Sequence, residues 1–477
     1  MSENMKKYNE LRGRYPQFVY EAWHHEVCPD GLKVWFDFKM GDVEFHPTAL
    51  IERRSFLDFD ADIDNIVFNI GMIELISYWK CACPTVVEVR CGSLTEAQIA
   101  FWKKLYWHGL GEFFYTNGID ETPEAFMKIE SVKREEENPE EADKDLNLQK
   151  TKIKNQNSYL VPVGGGKDSV VTLELLRRAG KQIRPLIMNP RVATVECARV
   201  AGFPIDEVLV IRRTIDPTLL ELNAKGYLNG HTPFSAMLAF YTQLASVLSG
   251  IPNVALSNES SANESTVIGS YVNHQYSKSL EFEDDFREYC LNGLLFDCLS
   301  VGAVNTQAIK QSNNQSFNYF SFLRPLSELQ IAMLFSRFTQ YHDVFRSCNV
   351  GSKQDIWCGH CAKCLFAYII LSPFIAPECL NRIFGKSMLD DTTLQHEFLQ
   401  LIGEAETKPF ECVGTVDEVR QALSMAIGRW YKAERPALLK DYKPVAIKDT
   451  IGTIAPIGNL TADERQILQA ACTEKSN

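Results

Sequence analysis

The chain has 477 residues, 45% of them hydrophobic, enough for two or three domains and an enzyme-sized cleft. Its formal net charge of -12 argues against a large nucleic-acid footprint, because an acidic surface repels phosphate backbones. No stretch is long and apolar enough to span a membrane, and 14 cysteines behind a polar start without a signal core point to a reducing, cytoplasmic setting.

From about Phe18 to Leu50 the pattern alternates (FVYEAWHHEV, LKVWFDF, DVEFHPTAL), which predicts half-buried antiparallel strands. Two helical stretches follow, DIDNIVFNIGMIELISYW and LTEAQIAFWKKLYWHGLGEFF, with PTVVEVR as a strand between them. Together they make an N-terminal α+β domain over residues 1–130. Residues 131–157 are charged and almost free of aromatics, so they read as a linker that cannot bury enough apolar surface to offset ordering. After Ser158 short β-rich runs (YLVPV, IRPLIM, EVLVIR, NVALSN) alternate with helical ones, the pattern of a doubly wound parallel α/β sheet over residues 158–330. Residues 331–440 read as a helical region carrying a cysteine cluster, and 441–477 as a weakly patterned tail.

The first strand of the α/β region runs into Gly164, Gly165, Gly166, Lys167, Asp168 and Ser169, with a helix expected from about Asp168. Glycines admit close backbone approach, and the free N–H groups of a helix start favour an anion. The turn therefore predicts phosphate binding; the plainer alternative is a glycine turn with Asp168 as N-cap. The stretch fails as a Walker A loop and as a Rossmann fingerprint. It resembles the pyrophosphate (PP) loop of the ATP pyrophosphatases, which have the adenine-nucleotide alpha-hydrolase fold, with Gly164 in place of the first serine. That resemblance implies ATP split between its α- and β-phosphates, with the backbone amides and Ser169 on phosphate, Lys167 on developing charge and Asp168 toward Mg²⁺.

Cys348, Cys358, Cys361 and Cys364 place three thiols on one C-x-x-C-x-x-C knuckle with a fourth upstream. Four sulfurs at such spacing suit a closed structural Zn²⁺ site, with an iron–sulfur cluster as the rival. Asn258 and Glu259 follow a predicted strand, where parallel sheets present ligand-facing groups; capping is the plainer role of Glu259. His274 and Lys278 are candidate proton carriers, and Cys412 a possible thiol acid/base, although isolated His and Cys side chains are more often structural. Arg324 reads as a phosphate or carboxylate binder or as half of a structural ion pair.

GLGEFFYTNG, VGGGKDS, NGHTPF, SNES, VNHQYSK, LRPLSEL, SCN, WCGHCAKC, IFGKSMLDD and KPFECVG stand in this order between about residues 105 and 415. Taken jointly they resemble the ATP-dependent UDP-N-acetylmuramoyl-L-alanyl-L-glutamate epimerases of peptidoglycan synthesis. The resemblance implies inversion of a terminal L-Glu to D-Glu with ATP converted to AMP and pyrophosphate. A deazaguanine nitrile synthase-like ligase is the rival, since it shares the loop and the knuckle. Oligomeric state is not legible.

Overall fold

A computed structural model of the chain describes residues 3–53, 61–132, 157–267, 272–296, 317–448 and 451–474. The expected linker lies, apart from its ends, outside them. The fold is mixed α/β and divides into two compact units that interleave along the chain: residues 1–156, 209–254 and 281–319 form one, and 157–208, 255–280 and 320–477 the other. Among the described residues no helix is long and apolar enough to cross a membrane.

Strands are numbered along the whole chain. The first unit holds β1 (Gln17–Cys28), β2 (Gly31–Met40), β3 (Val43–Phe45), β4 (Thr48–Glu52), β5 (Val86–Val89) and β6 (Lys128–Ser131). The alternating run folds as read: β1 and β4 pair antiparallel with β2, and β3 pairs with its far end. β5 and β6 extend the sheet in parallel beside β1. EVLVIR becomes β9 (Leu209–Arg213), which runs antiparallel to β4.

Helix Asp64–Trp79 is buried from Ile66 to Trp79, with no polar stripe, because strands cover one side of it and helix Phe234–Ser249 another. Gly71 lets β1 pack directly on this helix: a Cβ there would come within 1.8 Å of the Tyr20 Oη. A charge lies inside this apolar packing. Arg213 grips Glu74 through Nε and an Nη, both at 2.6 Å, and the Tyr241 hydroxyl donates to the same carboxylate at 2.9 Å. Every group of this trio is satisfied, which is the condition for keeping ions in a core.

In the second unit β7 (Ser158–Pro162) and β8 (Gln182–Met188) pair in parallel, joined through helix Lys167–Arg178. The ends of β10 (Asn253–Leu256) and β11 (Asn318–Ser321) that belong to this unit continue the order β11-β10-β7-β8. Helix Glu328–Ser336 packs on Lys167–Arg178, and helix Ala362–Leu371 packs on both Glu328–Ser336 and Val416–Trp430. Three of the unit's helices start from reciprocal caps, Ser327 with Gln330, Thr415 with Glu418 and Thr461 with Glu464. The tail read as weakly patterned forms helix Ala462–Thr473, tied in by the Tyr159 hydroxyl on Glu464 at 3.1 Å and by Lys181 on Asp463 at 2.5 Å. Its amphipathic run is too short to announce itself, although the Thr461-to-Glu464 spacing is a helix-start signature.

Removing one partner of the buried trio is the sharpest test of this packing. Glu74→Ala leaves the Arg213 guanidinium uncompensated and should cost about 3–5 kcal/mol. A calorimetric melt should show the transition falling by roughly 10 °C. An unchanged melt would contradict the burial of that charge.

Candidate functional site

All the residues below belong to the second unit. The strand β7 ends at Pro162, and the chain reaches helix Lys167–Arg178 through the three glycines. Gly165 has φ +81° and sits against the start of helix Val192–Val200, where a Cβ would meet the Ala193 carbonyl carbon and the Thr194 nitrogen at 3.1 Å. A side chain is excluded there on both counts. Gly164 is exposed with open space where its Cβ would be. The helix starts one residue before the expected Asp168: Gly166 is the N-cap, and no side chain caps the first turn. Ser169 is buried and donates to the Gly166 carbonyl at 3.0 Å.

Lys167 turns inward from this turn. It is buried, with its ammonium 2.5 Å from both an Asp168 and a Glu328 oxygen. Burial alone would lower the Lys167 pKa, but the two carboxyls outweigh it and hold the ammonium charged. Burial likewise opposes ionisation of Asp168, yet Lys167, Lys363 and Lys278 pull its pKa down. Burial pushes Glu328 up to about 8, helped by the Asp168, Glu259 and Glu418 carboxylates against the pull of Lys167. Asp168 is thus the carboxyl whose ionisation the surrounding lysines favour, and Glu328 the one whose ionisation burial opposes.

Glu328 stands in the first turn of helix Glu328–Ser336. Its place follows from packing: Glu418 accepts its backbone N–H at 2.7 Å, and Gly414 lets the KPFECVG segment pass close by. A Cβ on Gly414 would meet Glu418, Glu328 and Phe366 at 3.0–3.2 Å.

That segment brings Cys412 to Lys278, whose ammonium lies 3.1 Å from the Cys412 sulfur. Lys363 donates to the Cys412 carbonyl oxygen, and the His274 side chain hydrogen-bonds the thiol. Burial would raise the thiol pKa, but Lys278, Lys363 and His274 overcome it and bring Cys412 down to about 5. Lys278 itself is raised, against its burial, by Cys412 and Glu259. At neutral pH the pair is therefore a thiolate and an ammonium. Three of the sequence candidates, His274, Lys278 and Cys412, thus meet at one point.

Glu259 is buried, with the Ser261 hydroxyl donating to it at 3.3 Å, and Asn258 donates to the Ser321 hydroxyl at 3.0 Å. Arg324 is fully buried. Its guanidinium donates to the Glu259 carbonyl at 2.7 Å, the Lys278 carbonyl at 2.5 Å and the Ser321 hydroxyl at 3.1 Å. It clasps the SNES and VNHQYSK segments together through their backbones. Backbone carbonyls leave no signature in sequence, which is why this role was not legible.

The four knuckle cysteines converge. Cys348 and Cys361 sulfurs are 3.8 Å apart, Cys358 and Cys364 sulfurs 3.7 Å, and all four lie within 4.8 Å of one another. Gly359 takes φ +72° to make the turn, and Gly351 donates its N–H to the Cys348 sulfur at 3.1 Å. His360 is exposed, and Cys361 is the N-cap of helix Ala362–Leu371.

Residues 9–296 match the MurL N-terminal domain family and residues 344–447 the MurL C-terminal domain family. The chain is similar to the UDP-N-acetyl-alpha-D-muramoyl-L-alanyl-L-glutamate epimerase of Salinispora tropica, with 36% identity over 405 residues, 83% of this chain and 80% of that protein. The protein of the same name from a Micromonospora species is 36% identical over 76% of this chain and 75% of its own. That from Xanthomonas oryzae pv. oryzae is 33% identical over 75% and 73%.

The Cys412 environment predicts a thiol that stays reactive in acid. An ordinary cysteine loses its thiolate below about pH 8.5, whereas Cys412 should remain alkylated by iodoacetamide down to about pH 5. Lys278→Met should move that midpoint up by at least about one pH unit. Mass-spectrometric mapping of the modified peptide against pH reads both; a wild-type midpoint near 8.5 would remove the basis of this arrangement.

Proposed function

The chain belongs to the MurL family and is an isomerase acting on an amino-acid derivative; on that premise we propose that it inverts the terminal L-Glu of UDP-N-acetylmuramoyl-L-alanyl-L-glutamate to D-Glu. ATP is converted to AMP and pyrophosphate through an acyl-adenylate, in the cytoplasm, as a step of peptidoglycan precursor synthesis. The observation that carries this reading is electrostatic continuity between the glycine turn and the thiol cluster. Lys278 and Lys363, which flank Cys412, also depress the pKa of Asp168 beside the three glycines. A phosphate-activating turn and an acid–base group belong to one site only if the reaction needs both.

Inversion needs both for a plain reason. Removing the α-proton next to a carboxylate builds a dianion. Adenylation of that carboxylate removes its charge and leaves an electron-withdrawing acyl phosphate, which acidifies the Cα–H. Each tenfold gain in rate takes about 1.4 kcal/mol off the barrier, so cancelling one charge in a water-poor site is a large effect. The open glycine turn, of the PP-loop type, would hold the leaving pyrophosphate on its backbone amides, and Asp168 would face the Mg²⁺ that accompanies ATP. Lys167 would exchange its carboxyl partners for phosphate charge.

In this scheme the Cys412 thiolate is the base that takes the α-proton. Lys278 is too basic to act as a neutral base at pH 7, so its ammonium stabilises the thiolate and the developing enolate. His274 and Lys278 hold the thiolate with their N–H groups, and inversion is completed by a proton delivered from solvent to the opposite face of the α-carbon. Glu259 would orient the substrate, with Asn258 beside it. Water then cleaves the adenylate.

The cysteine knuckle fits Zn²⁺ as a closed structural site. A tetrahedron with Zn–S of about 2.3 Å has edges of about 3.8 Å, close to the Cys348–Cys361 and Cys358–Cys364 separations. Iron–sulfur ligation, with the thiolates on separate irons, would hold them further apart. Bound zinc would lock the turn that starts helix Ala362–Leu371.

Two experiments test this reading. With ATP and the dipeptide precursor in D₂O, the released glutamate should carry deuterium at its α-carbon, and omission of ATP should abolish uptake. Uptake at full rate without ATP would rule out the activation step. Elemental analysis should find about one zinc and no iron per chain, and chelation should melt the knuckle and lower activity at least tenfold. A chelated, zinc-free protein of undiminished stability and activity would refute a structural metal.

A further inference from the structure

Lys363 stands at an unfavourable address. It is the second residue of helix Ala362–Leu371, where the helix dipole repels a cation. It also lies between two knuckle thiols, Cys361 and Cys364, and is half-buried. The ammonium donates to the Cys412 carbonyl, on a segment 49 residues away in sequence, and stands 5.9 Å from the centre of the Phe366 ring. The Lys167 ammonium stands 6.0 Å from the same centroid. Phe366 thus offers its π density to two ammonium groups. Gly414, two residues beyond Cys412, is the position that allows the segment to come this close to Phe366.

We propose that Lys363 is a positioning residue for epimerisation, a strut that carries the rigidity of the cysteine knuckle to Cys412. The proposal rests on the epimerase reading for its catalytic consequence, but not for its physical one. The strut fixes the backbone of residue 412, so the thiol keeps its 3.1 Å approach to Lys278. It also adds a second cationic charge near the thiol. The charged and titratable groups around the Cys412 thiol are then Lys278, Lys363, His274 and the adjacent Glu411, and Asp168 lies within their field. A knuckle that served only to hold the fold would have no reason to place a lysine between its ligands and aim it at this carbonyl.

The test uses the full-length metal-loaded protein and three variants, Lys363→Met, Lys363→Arg and Lys386→Met, the last a lysine packed against Gly359 of the same knuckle. The first readout is the pH profile of Cys412 alkylation without ATP or substrate. Lys363→Met should move its midpoint up by about one unit, a tenfold slower reaction at acid pH. Lys363→Arg should restore most of it, and Lys386→Met should match wild type. The second readout is kinetic: Lys363→Met should lower kcat at least tenfold, leave KM for the dipeptide precursor within about threefold, and shift the acid limb of the kcat profile in step with the alkylation midpoint. Zinc content should stay at the wild-type value in all three. An unchanged alkylation midpoint in a zinc-loaded Lys363→Met protein overturns the proposal. So does loss of zinc in both Lys363 variants, which would make the lysine a structural part of the knuckle. A shifted midpoint in a protein that shows no epimerisation even as wild type would leave the strut standing and sink the functional reading alone.

Discussion

Lys167 brings an ammonium into the interior of the second unit, and the site around it is arranged so that this charge is matched. An uncompensated buried ion would cost several kcal/mol. Asp168 and Glu328 meet it from two directions, one from the glycine turn and one from the helix that packs across it. Glu418 then holds the Glu328 backbone, and Gly414 lets the KPFECVG segment close over the pair. The same segment carries Cys412. Neutralising one lysine therefore fixes the path of the loop that delivers the thiol.

Around that thiol the balance of charge runs the other way. Cys412 is the anion, and Lys278, Lys363 and His274 supply the positive side. Lys278 arrives on a segment whose carbonyl is held by Arg324, and Lys363 arrives from within the knuckle, between Cys361 and Cys364. Three separate supports thus converge on one sulfur: a buried guanidinium clasp, a four-thiol knuckle and a glycine-closed loop. Such convergence is what a catalytic acid–base group requires, since its geometry and its pKa must be held together.

Much of this was legible in sequence, and the reasons differ by element. The alternating run before Leu50 was legible as strands because buried and more exposed positions alternate along β2 and β4. The glycine turn was legible because strand, glycines and amphipathic helix are consecutive. The knuckle was legible because three of its cysteines fall within a seven-residue stretch. The Cys412–Lys278 pair was named residue by residue but not as a pair, since 134 residues separate its members. Glu328 and Lys363 gave no signal, as an acid or a base in a helical first turn is ordinary. The interleaving of the two units is invisible to any reading made in chain order.

The central claim is a division of labour: the glycine turn activates, and Cys412 moves the proton. Cys412→Ser, supplied with ATP, Mg²⁺ and UDP-N-acetylmuramoyl-L-alanyl-L-glutamate, separates the two steps in one tube, with pyrophosphate measured first and the chirality of the hydrolysed glutamate second. The account predicts continued pyrophosphate release while the glutamate stays L. Formation of D-glutamate at the wild-type rate by this variant would contradict it.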